Sequence, residues 1–290
     1  MKTLRYLLEA GLLWLVFSLL SLLPIEKASA VGGFLGRMLG RVMARKNAIA
    51  RRNIRASLPH LGEDEIDDVI TGMWDNLGRF VGETPHLHKI DVYHGDRVHL
   101  TADVDLENPA MTPMPAIFFN AHFGNFEVSS LLAIQRGLEL TLIYREASNP
   151  WSEKIIQHWR NKRGGTWVPK GRDGARALLA AIRDKGAIAI LADQKFNEGL
   201  PVPFFGRDAM TAPAIAELAL KYDVPLVPVR IVRLPGARFH AHVYKPLQIV
   251  RTGDREADVY AILLAVNRTF EAWIREYPDH WLWIHRRWPD

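Results

Sequence analysis

Ala116-Ile117-Phe118-Phe119-Asn120-Ala121-His122-Phe123-Gly124-Asn125-Phe126-Glu127 holds a short apolar run, a Gly-Asn pair and the beginning of a second apolar run. Four apolar residues closed by a polar one predict a buried strand over Ala116 to Asn120, and the spacing after the glycine predicts a helix over Phe126 to Arg136. His122 then falls in the strand-to-helix turn that Gly124 and Asn125 permit. His122 and Glu127 are five positions apart; in one continuous helix they would lie about 140° apart around the axis and would not meet. With a turn between them, Glu127 in the first helical turn is expected to reach back to an imidazole nitrogen. The free N–H groups of that helix end would stand beside the site to stabilise developing negative charge. A carboxylate-oriented imidazole is a general base for a hydroxyl or an amine. A buried histidine satisfied by hydrogen bonds, next to a helix-initiating acid, is the structural alternative.

Downstream, strand-like and helix-like segments alternate. Val98 to Leu106, Leu138 to Tyr144, Ala187 to Ala192, Pro225 to Leu234 and Arg238 to Tyr244 read as strands. Pro150 to Arg163, Arg172 to Lys185, Ala212 to Tyr222 and Arg255 to Glu276 read as helices. Short apolar strands alternating with helices predict an α/β fold, a mixed, largely parallel sheet flanked by helices. Pro201 to Pro203 reads as a loop.

Upstream, Ala10 to Ile25 is apolar apart from Ser18 and Ser21, marginal for a bilayer crossing, which takes about 20 residues. Ala28-Ser29-Ala30 after it resembles a secretory cleavage site. Against cleavage, Glu9 interrupts the start of the apolar stretch, between Leu7-Leu8 and Ala10. Between Glu26 and Glu63 there is also no acid, while Lys27, Arg37, Arg41, Arg45, Lys46, Arg51, Arg52 and Arg55 supply eight positive charges. Those charges would have to cross the membrane, against the positive-inside rule. A retained anchor over 1–30 with the body in the cytoplasm is therefore expected. Phe34, Leu35, Met38, Leu39, Val42, Ile49 and Ile54 between the basic residues suit an amphipathic helix over Gly33 to Leu58, either on the lipid surface or packed as a core helix with a solvated basic face. Glu63 to Gly82 reads as a packing helix with acids in its first turn. The expected organisation is an anchor, a helical membrane-proximal part over 31–97, and an α/β catalytic core over 98–290.

The 290 residues are 48% hydrophobic and carry a net charge of +5, enough for one large core behind the anchor. With no cysteine, disulfides, thiolate metal sites and Cys nucleophiles are excluded. His86, His88, Asp91, His94, Asp96 and His99 lack a fixed ligand spacing and read as a connector, so no metal is expected.

His122-Phe-Gly-Asn-Phe-Glu127 resembles the H-x-x-x-x-D/E motif of the lysophospholipid acyltransferase superfamily, and in particular the H-F-G-N-W-E form of the bacterial lipid A biosynthesis lauroyl/myristoyl acyltransferases, with Phe126 in place of the tryptophan. Tyr144-Arg145, Arg163-Gly164, Ala192-Asp193-Gln194, Val202-Pro203-Phe204-Phe205-Gly206, Val224-Pro225-Leu226-Val227-Pro228 and Trp283-Ile284-His285-Arg286-Arg287 follow in that family's order. The resemblance covers nearly the whole chain. It implies a membrane-associated O-acyltransferase on the cytoplasmic face of the bacterial inner membrane. His122 would activate an acceptor hydroxyl and Glu127 would orient it. The hydroxyl would attack a thioester directly without an acyl-enzyme, in keeping with the absent cysteine and the absent Gly-x-Ser-x-Gly elbow. No cofactor is implied. The acyl donor would be acyl carrier protein, with acyl-CoA the rival, and the acceptor a lipid A precursor, with an ornithine-type lipid, a phospholipid or another glycolipid as alternatives. A non-catalytic membrane-attached binder leaves the His–Glu pair without a use.

The same resemblance makes Gly124, Asn125, Tyr144, Arg145, Arg163, Asp193, Gln194, Phe204, Phe205 and Gly206 the expected substrate-binding set. Arg145 and Arg163 would converge on acceptor phosphates, for which guanidinium forks are suited. Asp193, at the end of a strand, either positions an arginine or an acceptor hydroxyl, or caps its own turn. Phe204 and Phe205 either line an acyl channel or belong to the core. Lys162, Arg163, Lys170 and Arg172 either dock the acidic carrier or form a solvated helix end.

Overall fold

The computed structural model describes residues 2–106 and 114–288. Its centre is a seven-stranded sheet of β1 (Val98–Ala102), β2 (Ala116–Asn120), β3 (Leu140–Tyr144), β4 (Thr166–Pro169), β5 (Ala187–Leu191), β8 (Leu226–Leu234) and β9 (Arg238–Val243), in the order β1-β9-β8-β2-β5-β3-β4. Every neighbouring pair is parallel except β8 with β9, which are antiparallel. Parallel neighbours need crossovers, supplied by α5 (Val128–Ile134), α6 (Pro150–Asn161), α7 (Arg172–Arg183) and α8 (Ala214–Tyr222). The expected α/β architecture is present. Along α9 (Arg255–Glu276), Val259, Ile262, Leu263, Val266, Phe270 and Trp273 are buried at helical spacing and join Ile117 and Phe119 of β2 in the main core.

Three strands of the α/β part differ from expectation. β4 escapes a periodicity reading because it is four residues long and none of them is fully buried. The stretch around Pro201 and Pro203, expected as a loop, is strand β6 (Leu200–Phe204), paired antiparallel with β7 (Arg207–Thr211). Phe205 and Gly206 join the pair, with φ of 50° and 70°. Two central residues at positive φ make the tight hairpin turn whose twist matches that of strands. Both prolines count against a strand in a sequence reading, yet a two-stranded ribbon has only edge strands, which tolerate them.

The N-terminal part is four helices: α1 (Lys2–Ser21), α2 (Ile25–Val42), α3 (Ala44–Ser57) and α4 (Glu63–Glu83). The single amphipathic helix expected over Gly33 to Leu58 is broken at Met43 into α2 and α3. α3 behaves as a core helix, burying Ala50 and Ile54. α2 does not follow the core-helix alternative; its large apolar residues face outward, as the lipid-surface alternative expects. It buries Ala28, Gly32, Gly36 and Gly40, one every four residues, against Trp74, Gly78 and Gly82 of α4, and leaves Phe34, Leu35, Leu39 and Val42 exposed. The backbones approach so closely that a methyl group on Gly36 would sit 2.2 Å from the Trp74 carbonyl oxygen, and one on Gly78 would sit 2.1 Å from that of Gly32. α1 lies along the body rather than apart from it. Asn149 donates to the Tyr6 carbonyl at 2.8 Å, Phe17 meets Trp159 edge-on at 6.4 Å, and the His86 ring nitrogen is 2.9 Å from the Leu20 carbonyl. Its other face exposes Leu8, Leu12, Leu15 and Leu19, with Leu22 exposed just beyond it.

Candidate active site

β2 and β5 run parallel with Ala116 opposite Ala187 and Asn120 opposite Leu191. Continuing that register two residues past each strand places His122 opposite Asp193. There the Asp193 carboxylate accepts the His122 backbone N–H at 3.0 Å and lies 2.8 Å from Nδ1 of its ring. The Trp281 indole N–H donates to the same carboxylate at 2.9 Å. Asp193 is 2% exposed. Burial alone would raise its carboxyl pKa, but the charge of His122 and the hydrogen bonds from His122 and Trp281 outweigh it and hold the group well below the usual carboxylate range. An ionised carboxylate at Nδ1 fixes that nitrogen as the N–H, leaving the lone pair on Nε2.

Gln194 stands beside the ring, its amide nitrogen 3.0 Å from Nε2 and 3.4 Å from Nδ1 of His122. A donor 3.0 Å out along the Nε2 lone pair would be about 5 Å from Nδ1, so the amide crosses the ring face and leaves the lone pair unoccupied. The same amide donates to Nε2 of His285 at 3.2 Å. Burial, then the charge of His122, lowers the His285 pKa, which suits an uncharged acceptor. Phe126 closes another side of the imidazole, edge-on at 4.9 Å, and is itself stacked on Phe80 at 5.0 Å.

The turn carrying His122 is held from several elements at once. Gly124 has φ of +57°, and a methyl group on it would sit 2.2 Å from the Ile231 carbonyl oxygen, so both conformation and space demand glycine. Its N–H donates to the His280 carbonyl at 3.0 Å. Asn125 donates to Glu83 at 2.7 Å. Glu83, fully buried at the end of α4, also accepts from Ser29 of α2 at 2.6 Å and pairs with Arg233 of β8.

Glu127 does not reach His122. It precedes α5, which starts at Val128 rather than near Phe126, and its buried carboxylate pairs with Arg163 and lies 3.6 Å from Arg160 at the end of α6. The orienting contact expected of Glu127 is therefore made by Asp193. The cause is geometric: Gly124 turns the chain before α5, so the first helical residues face α6, while sheet register brings Asp193 to the ring. Arg160 lies 4.7 Å from the Tyr144 ring and 4.9 Å from that of Trp167, with Arg163 4.9 Å from the latter. Burial and the neighbouring Glu153 carboxylate push the Tyr144 phenol up to about 12, so it stays a donor. Two guanidinium groups share one carboxylate here, which leaves a net positive charge.

The remaining expected residues are more scattered. Arg145 is exposed and pairs with no carboxylate among the described residues. Phe204 and Phe205 are buried in the core; Phe204 packs edge-on against Trp281 at 5.6 Å and so backs the residue that donates to Asp193. Gly206 is exposed in the hairpin turn. Among the described residues, no group of three His, Asp or Glu side chains is arranged to hold a metal ion. His280, Trp281, His285, Glu83 and Asn76, whose amide is 3.3 Å from the His280 carbonyl, were not singled out as site residues. They lie too far along the chain from His122 for spacing to connect them. Asp193 alone could have been paired by aligning the two apolar strands end to end.

A carboxylate-backed imidazole with a free lone pair, at the C-terminal ends of parallel strands, can chemically accept a proton from a nucleophile. The model of the bacterial lipid A biosynthesis acyltransferases matches residues 1–290, and the chain belongs to that family; it is an acyltransferase. It is 22% identical to the lipid A biosynthesis palmitoleoyltransferase of Escherichia coli K12 over 286 residues, 96% of this chain and 88% of that one. To the lipid A biosynthesis lauroyltransferase of the same strain it is 23% identical over 290 residues, 97% and 90% of the two chains. To a lipid A biosynthesis acyltransferase of Haemophilus influenzae it is 22% identical over 277 residues, 92% and 83%.

Proposed function

We infer that the protein transfers a fatty acyl group from an acyl carrier protein thioester to a hydroxyl of a lipid A precursor, with His122 as general base and Asp193 as the carboxylate that orients it. The observation that carries this reading is the Asp193–His122 contact with Nε2 left open. Nε2 takes the hydroxyl proton as the oxygen attacks the thioester carbonyl. The tetrahedral intermediate then expels the thiolate, which recovers the proton from the imidazolium. Asp193 stabilises that imidazolium and stays ionised. No cofactor and no enzyme nucleophile enter the scheme.

Arg160 and Arg163, neutralised only in part by Glu127, suit an acceptor phosphate, and Tyr144 and Trp167 hold their planes. Lys170 and Arg172 remain exposed at the start of α7 and suit an acidic carrier. Arg163, expected in that basic cluster, is buried with Glu127 instead. The exposed apolar faces of α1 and α2, with the basic residues that follow, support attachment to the cytoplasmic face of the inner membrane with the N-terminal helix retained.

The test measures transfer from labelled acyl carrier protein to a lipid A precursor by purified protein in lipid vesicles. His122→Ala and Asp193→Asn are each expected to lose about 10²–10⁴-fold in kcat, the usual worth of a positioned general base. Undiminished turnover in His122→Ala overturns the reading. Faster transfer from acyl-CoA than from the carrier thioester reassigns the donor.

A further inference from the structure

Between the second half of α1 and α6 lies a cleft of about 390 Å³ lined by Trp14, Ser18, Ser21, Lys154, Ile155, His158 and Trp159. It is separate from the arginines of the candidate active site: Arg160 lies about 160° round α6 from His158. Its walls are fixed, because α1 is pinned to the body at Tyr6, Phe17 and Leu20.

α6 buries no residue fully and carries two parallel rows. Trp151, Ile155 and Trp159 recur every four residues, and so do Lys154, His158 and, at the cap just past the helix, Lys162. The Lys154 ammonium lies 4.9 Å from the Trp151 ring and that of Lys162 lies 4.0 Å from the Trp159 ring. Among the described residues, neither lysine pairs with a carboxylate. A cation without its counter-ion, set beside indoles and next to a helix with an exposed apolar face, matches the level of lipid headgroups.

We propose that this cleft holds one anionic glycerophospholipid of the surrounding bilayer. Its phosphate sits at Lys154 and His158, with Lys162 one turn further adding to the positive field. Its glycerol and first methylenes lie against Trp14, Ile155 and Trp159. The cleft volume accommodates a headgroup and the start of a chain but not a whole lipid, so the chains continue along the exposed leucines of α1. The lipid would seal α1 to α6 and hold the N-terminal helix at one depth relative to the active site. This proposal rests on the membrane attachment inferred above, not on the acyl-transfer chemistry.

The experiment is native mass spectrometry of the full-length protein released from vesicles of phosphatidylglycerol and phosphatidylcholine, with vesicle flotation in parallel. Wild type is expected to retain one phosphatidylglycerol. Lys154→Glu/Lys162→Glu should lower that occupancy about tenfold or more, and Lys154→Ala/Lys162→Ala should lower it by less. Lys221→Glu/Lys245→Glu, a charge-matched pair on the other side of the fold, should leave it unchanged. Circular dichroism on each variant separates lost binding from lost folding. Equal retention of phosphatidylcholine, or displacement of the retained lipid by a lipid A precursor, overturns the proposal. Flotation without retained lipid overturns it while leaving membrane attachment standing, and absence of flotation overturns both.

Discussion

Asp193 and Glu127 are both buried carboxylates near His122, and their partners separate their roles. Asp193 touches the ring and fixes its tautomer, so Asp193→Asn should lower kcat and disturb the acid limb of the kcat pH profile. Glu127 touches arginines, so Glu127→Gln should chiefly raise KM for a phosphorylated acceptor and leave that limb in place. Removing one member of a buried ion pair strands the other at about 3–5 kcal/mol, so Glu127→Gln is also expected to lower the unfolding midpoint. Steady-state kinetics over a pH series distinguishes the two variants. An unchanged KM with a shifted pH limb in Glu127→Gln would falsify the division of roles. His122 was legible in the sequence because a strand end, a glycine and a helix start surround it. Its partner Asp193 was legible only by aligning β2 and β5 end to end, because parallel register acts across 71 positions, here between residues 122 and 193, and leaves no local periodicity.

At the level of elements, α2 and α4 depend on bare backbone contact. Gly36→Ala drives a methyl group into the Trp74 carbonyl, and such overpacking costs about 1–3 kcal/mol. Gly11→Ala in α1 meets nothing within 4 Å and should be neutral or stabilising by up to about 1 kcal/mol. Urea unfolding of the two variants checks the contrast. Glu83 links this helix pair to the turn that carries His122 through Ser29, Asn125 and Arg233. Glu83→Gln leaves Arg233 buried without its counter-charge, at about 3–5 kcal/mol, and should lower kcat as well because one amide oxygen replaces two carboxylate oxygens that accept from Ser29, Asn125 and Arg233. Here spacing alone left two arrangements open: an apolar stripe can face a core or a lipid surface, and in α2 the small residues are buried while the large ones face outward. The hairpin of β6 and β7 was missed for a related reason, since Pro201 and Pro203 are forbidden only inside a sheet with neighbours on both sides.

For the molecule as a whole, four histidines, His86, His88, His240 and His285, have pKa values lowered chiefly by burial. The unfolded chain protonates such groups near about 6.5, while the folded chain resists. As pH falls below that value the unfolded state binds more protons, so stability must fall with it. Thermal unfolding should show a melting temperature that rises from pH 5 towards pH 7, and His86→Gln should flatten part of that rise. The sheet was largely readable in advance because its strands are short, apolar and separated by helices with clear ends. The way the two ends of the chain close on the centre was not, since Trp281 and His280 act on residues over 80 positions away from them.

That closure gives the protein a built-in timer. Chains grow at about 5–20 residues per second, so the N-terminal helix emerges on the order of tens of seconds before Trp281. Until Trp281 and the His280 carbonyl are in place, Asp193 and Gly124 each lack a partner. The turn that carries His122 therefore gains its full set of contacts only after the C-terminal segment has been made, well after the N-terminal helices have emerged.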